Sequence, residues 1–379
     1  MKIERCVWQE NGGWQDPVRP LADRSAAALV LVFSTPGLLK SGSQMADIRA
    51  RFPNSMICGC STAGEIEGKK VLDDSFVASA IQFDTSSIFA VDAPIPAPEK
   101  SFVVGQTLAA RLPRSGLVHA LVFSDGLVVN GTQLAAGIER GLPAGVAVTG
   151  GLSADGDRFK ETLVVAGGQA KSGHCVLIGL YGPSLRVGFG SMGGWDSFGP
   201  ERRITRAQDN ILYELDGCSA LDLYKEYLGE HAAKLPASGL LFPLTVRREK
   251  SDEALVRTIL AVDEKQRSMT FAGDMPQGSF ARLMRANFDR LVDGATGAAR
   301  HCRQKIGERA QLAILVSCVG RKLVLAQRVE EEVEAVAHTL GEDVAMTGFY
   351  SYGEISPAGA QANCQLHNQT MTITTLSEV

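Results

Sequence analysis

Short apolar blocks separated by amphipathic stretches run along most of the chain. Ala26–Ser34 is continuously apolar at its centre and predicts a buried strand; Ser41–Phe52 carries helical spacing; Ser55–Ser61 returns to a strand. Phe76–Phe83 and Ser87–Asp92 predict two strands of a meander. A helix over Ser101–Leu112, a strand over Val118–Ser124, a helix over Asn130–Arg140 stopped by Gly141, and a strand over Gly145–Thr149 follow. Thr162–Ala166, His174–Tyr181 and Leu185–Gly190 also predict strands. The glycine-rich stretch 190–200 then breaks the pattern, and a domain boundary is expected beside it, between 1–205 and 206–379. Beyond it lie a helix over Ser219–Leu228, strands over Val256–Val262 and Ser268–Ala272, and one long helix over Ser279–Ile306. Leu312–Ser317, Val344–Phe349 and Leu366–Thr375 predict the last strands, with an acidic helix over Val329–Leu340. The polar first 20 residues, with Trp8 and Trp14, are expected to wrap an edge.

Three of these strands end alike: Leu-Val-Phe-Ser at 31–34, Leu-Val-Phe-Ser at 121–124 and Ile-Leu-Val-Ser at 314–317. Each precedes a helix, and each helix precedes a strand that reaches a glycine, at Gly59, Gly150 and Gly348. A strand–helix–strand crossover occupies about 30 residues, which these spacings match. Two of the endings also carry Gly-Glu-Ile, at Gly64–Ile66 and Gly353–Ile355. The expected class is therefore α/β (or α+β): two related lobes, each a mixed β-sheet with layered helices, built from repeated strand-helix-strand units.

Composition narrows the function. The net charge of the 379 residues is −4, so there is no basic surplus to neutralise phosphates, and nucleic-acid binding is not expected. Apolar runs stay well short of the ~20 residues of a membrane span. The first residues show no leader pattern, which predicts a cytoplasmic protein whose eight cysteines are thiols. No C-x-x-C occurs, which argues against a zinc ribbon or a redox dithiol; Cys58 and Cys60 are read as core residues on one strand face.

The closing segment carries the sharpest chemistry. As one strand, Leu366–Thr375 would place His367, Gln369, Met371 and Ile373 on one face. A neutral imidazole there is an axial ligand for haem iron or an ordinary packed histidine. The turns after the repeated strands offer backbone N–H groups and small side chains to a ligand: Gly59, Ser61, Thr62 and Glu65 in the first, Gly150 and Ser153 in the second. Gly59–Ala63 approximates a nucleophile elbow around Ser61 but lacks its closing glycine, so a serine hydrolase is disfavoured and no catalysis is expected. Tyr350, Tyr352, Gly353 and Glu354 are expected at the mouth of a cavity shared with His367.

At these residues the chain resembles the FIST family. The resemblance rests on Gly59–Ile66, Thr149–Ser153, Leu212–Gly217, Gly348–Ile355 and Leu366–Thr370, and covers roughly residues 25–375 as a FIST N followed by a FIST C domain. It implies a sensor of small ligands in signal transduction. A chain with these two domains is most similar to the bacterial nitric-oxide-sensing haem proteins of the family, the NosP type. That likeness implies haem b with His367 as axial ligand, Tyr350, Tyr352, Gly353, Glu354 and Met371 around it, and nitric oxide as the signal. It also implies a partner histidine kinase in two-component pathways that control cyclic-di-GMP and biofilm, and is compatible with a homodimer. The alternative within the family is a haem-free sensor of an amino acid or similar metabolite, held by the glycine and serine turns.

Overall fold

A computed structural model describes residues 1–249, 254–307, 309–358 and 363–379. The first stretch of chain gives β1 (Lys2–Gln9), β2 (Gly13–Trp14), β3 (Leu29–Ser34), helices α1 (Pro36–Ser41) and α2 (Ser43–Arg51), β4 (Met56–Ser61), a hairpin of β5 (Glu65–Glu67) and β6 (Lys70–Leu72), and β7 (Ser75–Gln82). The second repeats this plan with β8 (Ser87–Pro94), α3 (Ser101–Arg111), β9 (Leu117–Ser124), α4 (Gly131–Gly141), β10 (Ala147–Leu152), the hairpin β11 (Val164–Ala166) and β12 (Gln169–Lys171), and β13 (His174–Tyr181).

The third opens with β14 (Leu185–Met192) and leaves on an excursion. That excursion holds β15 (Asp196–Gln208), β16 (Ile211–Leu215), β17 (Cys218–Ser219), α5 (Ala220–Leu228), β18 (Leu244–Arg247), β19 (Ala254–Arg257), β20 (Ile259–Asp263), β21 (Ser268–Phe271) and β22 (Phe280–Arg285). The plan then resumes with α6 (Phe288–Ile306), β23 (Leu312–Cys318), α7 (Val319–Leu325), α8 (Val329–Leu340), β24 (Ala345–Ser351), the hairpin β25 (Gly353–Ala358) and β26 (Asn363–His367), and β27 (Met371–Glu378).

In every unit the two strands joined through helices run parallel: β3 with β4, β9 with β10, β23 with β24. A parallel pair requires such a crossover. The closing strand of each unit, β7, β13 or β27, pairs antiparallel on the other side of the first. The hairpins are exchanged. The first unit's β5 pairs with β24 of the third, the second unit's β11 with β4 of the first, and the third unit's β25 with β10 of the second. The three sheets share a core in which Phe33, Phe123 and Phe349 meet with ring centroids 4.8–5.9 Å apart. The excursion forms a fourth, antiparallel sheet with a core of its own around Leu212, Tyr224, Leu244 and Phe271.

The mixed α/β class expected from the sequence is what the structure shows, with helices layered on mixed sheets. Three local expectations change. The opening residues form β1, paired along its length with β7 because Ile3, Cys6 and Val7 are buried. Ser279–Ile306 is not one helix: Phe280–Arg285 joins the fourth sheet, and α6 starts only after Asn287, whose side chain accepts from Arg290 N. The closing strand is two strands, β26 and β27, split by a corner at Asn368–Thr370 where Gln369 takes φ +63°. His367 therefore lies in the second unit's sheet and Met371 in the third's, not on one shared strand face.

Candidate functional site

The corner after His367 ties three parts of the molecule together. Asn368 Nδ2 donates to Tyr352 O at 3.4 Å, and Thr370 donates to Glu354 Oε2 through N and Oγ1 at 3.1 and 2.9 Å. Gln369 Nε2 donates to Leu240 O, and Gln369 O accepts from Trp195 Nε1, which anchors the corner to the excursion. His367 itself donates from Nε2 to Ser356 O at 3.1 Å, so the lone pair resides on Nδ1, which has no partner among the described residues. Burial, with Arg257 nearby, lowers the His367 pKa to about 4, and the ring is neutral at pH 7.

His367 is 9% exposed, and that edge faces a cavity of about 480 Å³. Phe189 and Met192 of β14, Leu255 and Val256 of β19, and Thr370 line it, with His301 and Lys305 from α6. His301 and Lys305 lie four residues apart on one helix face. Lys305 Nζ sits 3.4 Å from the centre of the Phe189 ring, a cation–π contact that fixes its ammonium at the cavity wall. Sequence reading missed these residues. The i, i+4 pair on α6 was legible as a face, but nothing in the sequence showed that β14 and β19 pack opposite it.

Contrary to expectation, none of the other candidates of the third unit lines this cavity. Glu354 is the cross-strand partner of His367, fully buried, and reaches the cavity wall only through Thr370. Tyr350 is buried under α8 and donates to Glu332 Oε1 at 2.8 Å. Tyr352 stacks on Phe159 at 4.4 Å between ring centroids, and its hydroxyl donates to Asp155 Oδ1 and Gly156 O. Gly353 packs against Leu152 and Leu366, and Met371 is a core residue of β27.

The glycine and serine turns of the first two units form a separate, interior set. Gly59 and Gly150 face the carbonyls of Val32 and Val122 on the paired strand. Ser61 Oγ is buried and accepts from Leu163 N, and Ser153 Oγ is buried without a partner among the described residues. Thr62 donates to Glu65 Oε1, while Ser75 donates to Glu65 Oε2 from N and Oγ. The Glu354 carboxyl repeats this pattern with Ser351 and Thr370. In both units the carboxyl opens the exchanged hairpin and holds it to the start of the unit's own closing strand, β7 or β27.

These two carboxyls give the fold a pH dependence. Burial pushes Glu65 up to about 7 and Glu354 up to about 8, against an ordinary 4.5. A carboxyl with a raised folded pKa stabilises the fold fully below its unfolded pKa and loses that contribution as pH rises through the folded one. The urea midpoint is therefore expected to fall between about pH 5 and about pH 9, with the upper part of the fall removed in Glu354→Gln. An unchanged pH profile in that variant would contradict this assignment.

Among the described residues no group of three or more His, Cys, Asp or Glu is arranged to hold a metal ion, and no helix is long and apolar enough to cross a membrane. Residues 28–218 match the FIST N domain and residues 220–357 match the FIST C domain. The chain belongs to the FIST family. FIST domains are small-ligand sensing domains of signalling proteins. An uncharacterized protein of Methanocaldococcus jannaschii is 22% identical over 344 residues, taking in 81% of this chain and 65% of that protein. The chain thus spans just under two thirds of this relative's length. The crystal structure of cyanuric acid hydrolase from A. caulinodans overlaps 94% of this chain and 91% of its own, at 8% identity and a TM-score of 0.36.

Proposed function

We propose that this FIST chain senses nitric oxide through haem b held at His367 and regulates a partner histidine kinase. The observation that carries the reading is a neutral imidazole with an uncommitted nitrogen, set in the wall of a cavity lined by apolar side chains and by the Lys305 ammonium. The donor set fits this group. A single histidine is too few ligands for a bare metal ion, but haem would bring its own nitrogen donors and could be held by His367 alone. Phe189, Met192, Leu255 and Val256 would bury the macrocycle, and Lys305 and His301 would face its carboxylates. Bound there, haem supplies an iron that takes a diatomic gas.

The chain's own residues supply the relay. The other ring nitrogen, Nε2, holds the ring to Ser356 O, so a shift of the ring would loosen the β25–β26 pairing. The same corner holds Glu354 through Thr370 and the excursion through Gln369, so the ring's position biases both. A signal requires that the two ring positions bind ligand with different affinity.

His367→Ala is expected to abolish haem retention in a titration followed by absorbance. Its far-UV circular dichroism should stay unchanged, since one side-chain hydrogen bond is worth about 1 kcal/mol. A variant that takes up haem as the parent does would move the ligand to another residue. Ser61→Ala is expected to leave any esterase turnover unchanged, because Ser61 Oγ accepts from Leu163 N and no base faces it among the described residues. Loss of turnover in that variant would revive a hydrolase.

A further inference from the structure

A second cavity, of about 420 Å³, lies on the other side of β19 and shares only Leu255 with the first. Thr132 and Ala136 of α4, Val246 of β18 and Leu366 of β26 line it, together with Arg248 and Arg257. Arg257 is 4% exposed. Its Nε donates to Asp274 O at 3.2 Å, and its Nη1 donates to the carbonyls of Val256 and Leu366 at 3.2 and 3.0 Å. Its Nη2 has no partner among the described residues, and the Asp274 carboxylate favours its charge without bonding to it. Gly273 makes room for it, since a Cβ there would come within 2.9 Å of Nε.

The nearest carboxylate is already engaged. Asp274 Oδ1 and Oδ2 accept from Asn130 Nδ2 and Gln133 Nε2 at 3.0 and 3.1 Å, at the start of α4. A buried guanidinium satisfied only by carbonyls is costly unless an anion completes it. Burial lowers the Arg257 pKa to about 10, which still leaves it charged at pH 7. Thr132 accepts from Asp274 N and keeps its hydroxyl hydrogen for a second donor–acceptor contact. Ala136, Val246, Leu255, Pro276 and Leu366 supply aliphatic walls, and Arg248, Asn363, Cys364 and Gln365 complete the lining.

We propose that this cavity is a second ligand site and takes a small organic acid, its carboxylate on Arg257 Nη2 and its aliphatic body against Val246, Leu255 and Leu366. The site goes beyond the haem reading and does not depend on it. An inorganic anion would leave the aliphatic walls uncovered. A free carboxylic acid and an amino acid share the recognised group, and differ in whether an ammonium reaches Asp274.

The test is isothermal titration of the full chain with 4-methylpentanoate, leucine and inorganic phosphate. Saturable binding of one or both carboxylates is expected, with phosphate much weaker; tighter binding of leucine assigns Asp274 to the amine, and tighter binding of 4-methylpentanoate leaves it out. Arg257→Gln should weaken binding about tenfold or more, the loss of one charge-assisted hydrogen bond. Ala136→Phe fills the cavity from α4 while keeping the Arg257 side chain and should also abolish binding, so it carries the test if Arg257→Gln does not fold. His367→Ala should bind the carboxylate as the parent does, which separates this site from the haem cavity. No saturable heat from either carboxylate, phosphate binding as tight as both, or undiminished binding in Ala136→Phe would overturn the proposal.

Discussion

Gly348→Ala is expected to leave little folded protein, and Gly59→Ala and Gly150→Ala to do the same. The three glycines occupy the same place in the three units, each paired across a parallel ladder with Leu315, Val32 or Val122. An added Cβ would lie 1.8–1.9 Å from the carbonyl oxygen of that partner. A carbon and an oxygen in contact sit at about 3.3 Å, so the two strands must part by more than an ångström. Backbone, not a flexible side chain, is what stands in the way. Gly59 and Gly150 add φ of +156° and +148°, which a Cβ disfavours; Gly348 has no such strain and isolates the steric term. A cost above about 4 kcal/mol is expected, a large part of the ~5–15 kcal/mol that holds a domain together. Gly12, with nothing within 4 Å, is the control, and Gly12→Ala should shift stability by less than about 0.5 kcal/mol. Soluble yield and urea midpoints report the difference; a Gly348→Ala protein as stable as the parent would contradict the close approach.

The second large effect is expected at Arg321→Met. Arg321 and Glu332 form an ion pair in which both side chains are fully buried. Arg321 donates from Nε and Nη2 to Glu332 Oε2 at 3.0 and 2.7 Å, and to the carbonyls of Gly193 and Leu291 at 2.7 Å each. Ser317 Oγ and Tyr350 OH donate to Glu332 Oε1. The pair thereby joins α6, α7, α8 and both parallel strands of the third unit. Methionine fills the space but leaves Glu332 charged and buried with only hydroxyls for company. Breaking one side of such a pair costs about 3–5 kcal/mol, whereas replacing both by apolar groups can be close to neutral. Arg321→Met is therefore expected to lose about 3–5 kcal/mol in urea unfolding, and Arg321→Met with Glu332→Leu to recover much of it. Equal losses in the single and double variants would show that shape, not charge, holds this corner.

The repeated units were legible because strands such as Leu29–Ser34, Leu117–Ser124 and Leu312–Cys318 are buried on both faces and read as unbroken apolar runs. The exchange of hairpins was not. Gly-Glu-Ile recurs in the sequence, but that Glu65 and Glu354 each bind the start of a closing strand depends on Ser75 and Thr370 arriving from farther along the chain. The corner at 367–370 was illegible for another reason: its residues continue an alternating strand pattern, and no glycine marks the positive φ that Gln369 adopts. Arg257 and Lys305 were passed over because lone basic residues are usually solvated. Only the packing of the excursion against β26 and α6 buries the one and aims the other at a cavity.

The measurement that bears most directly on the central claim is the absorption spectrum of the purified chain reconstituted with haem, taken before and after nitric oxide. The account predicts an intense Soret band that is absent from His367→Ala and moves when nitric oxide is added. A chain that stays colourless after reconstitution, with its fold intact by circular dichroism, would contradict it.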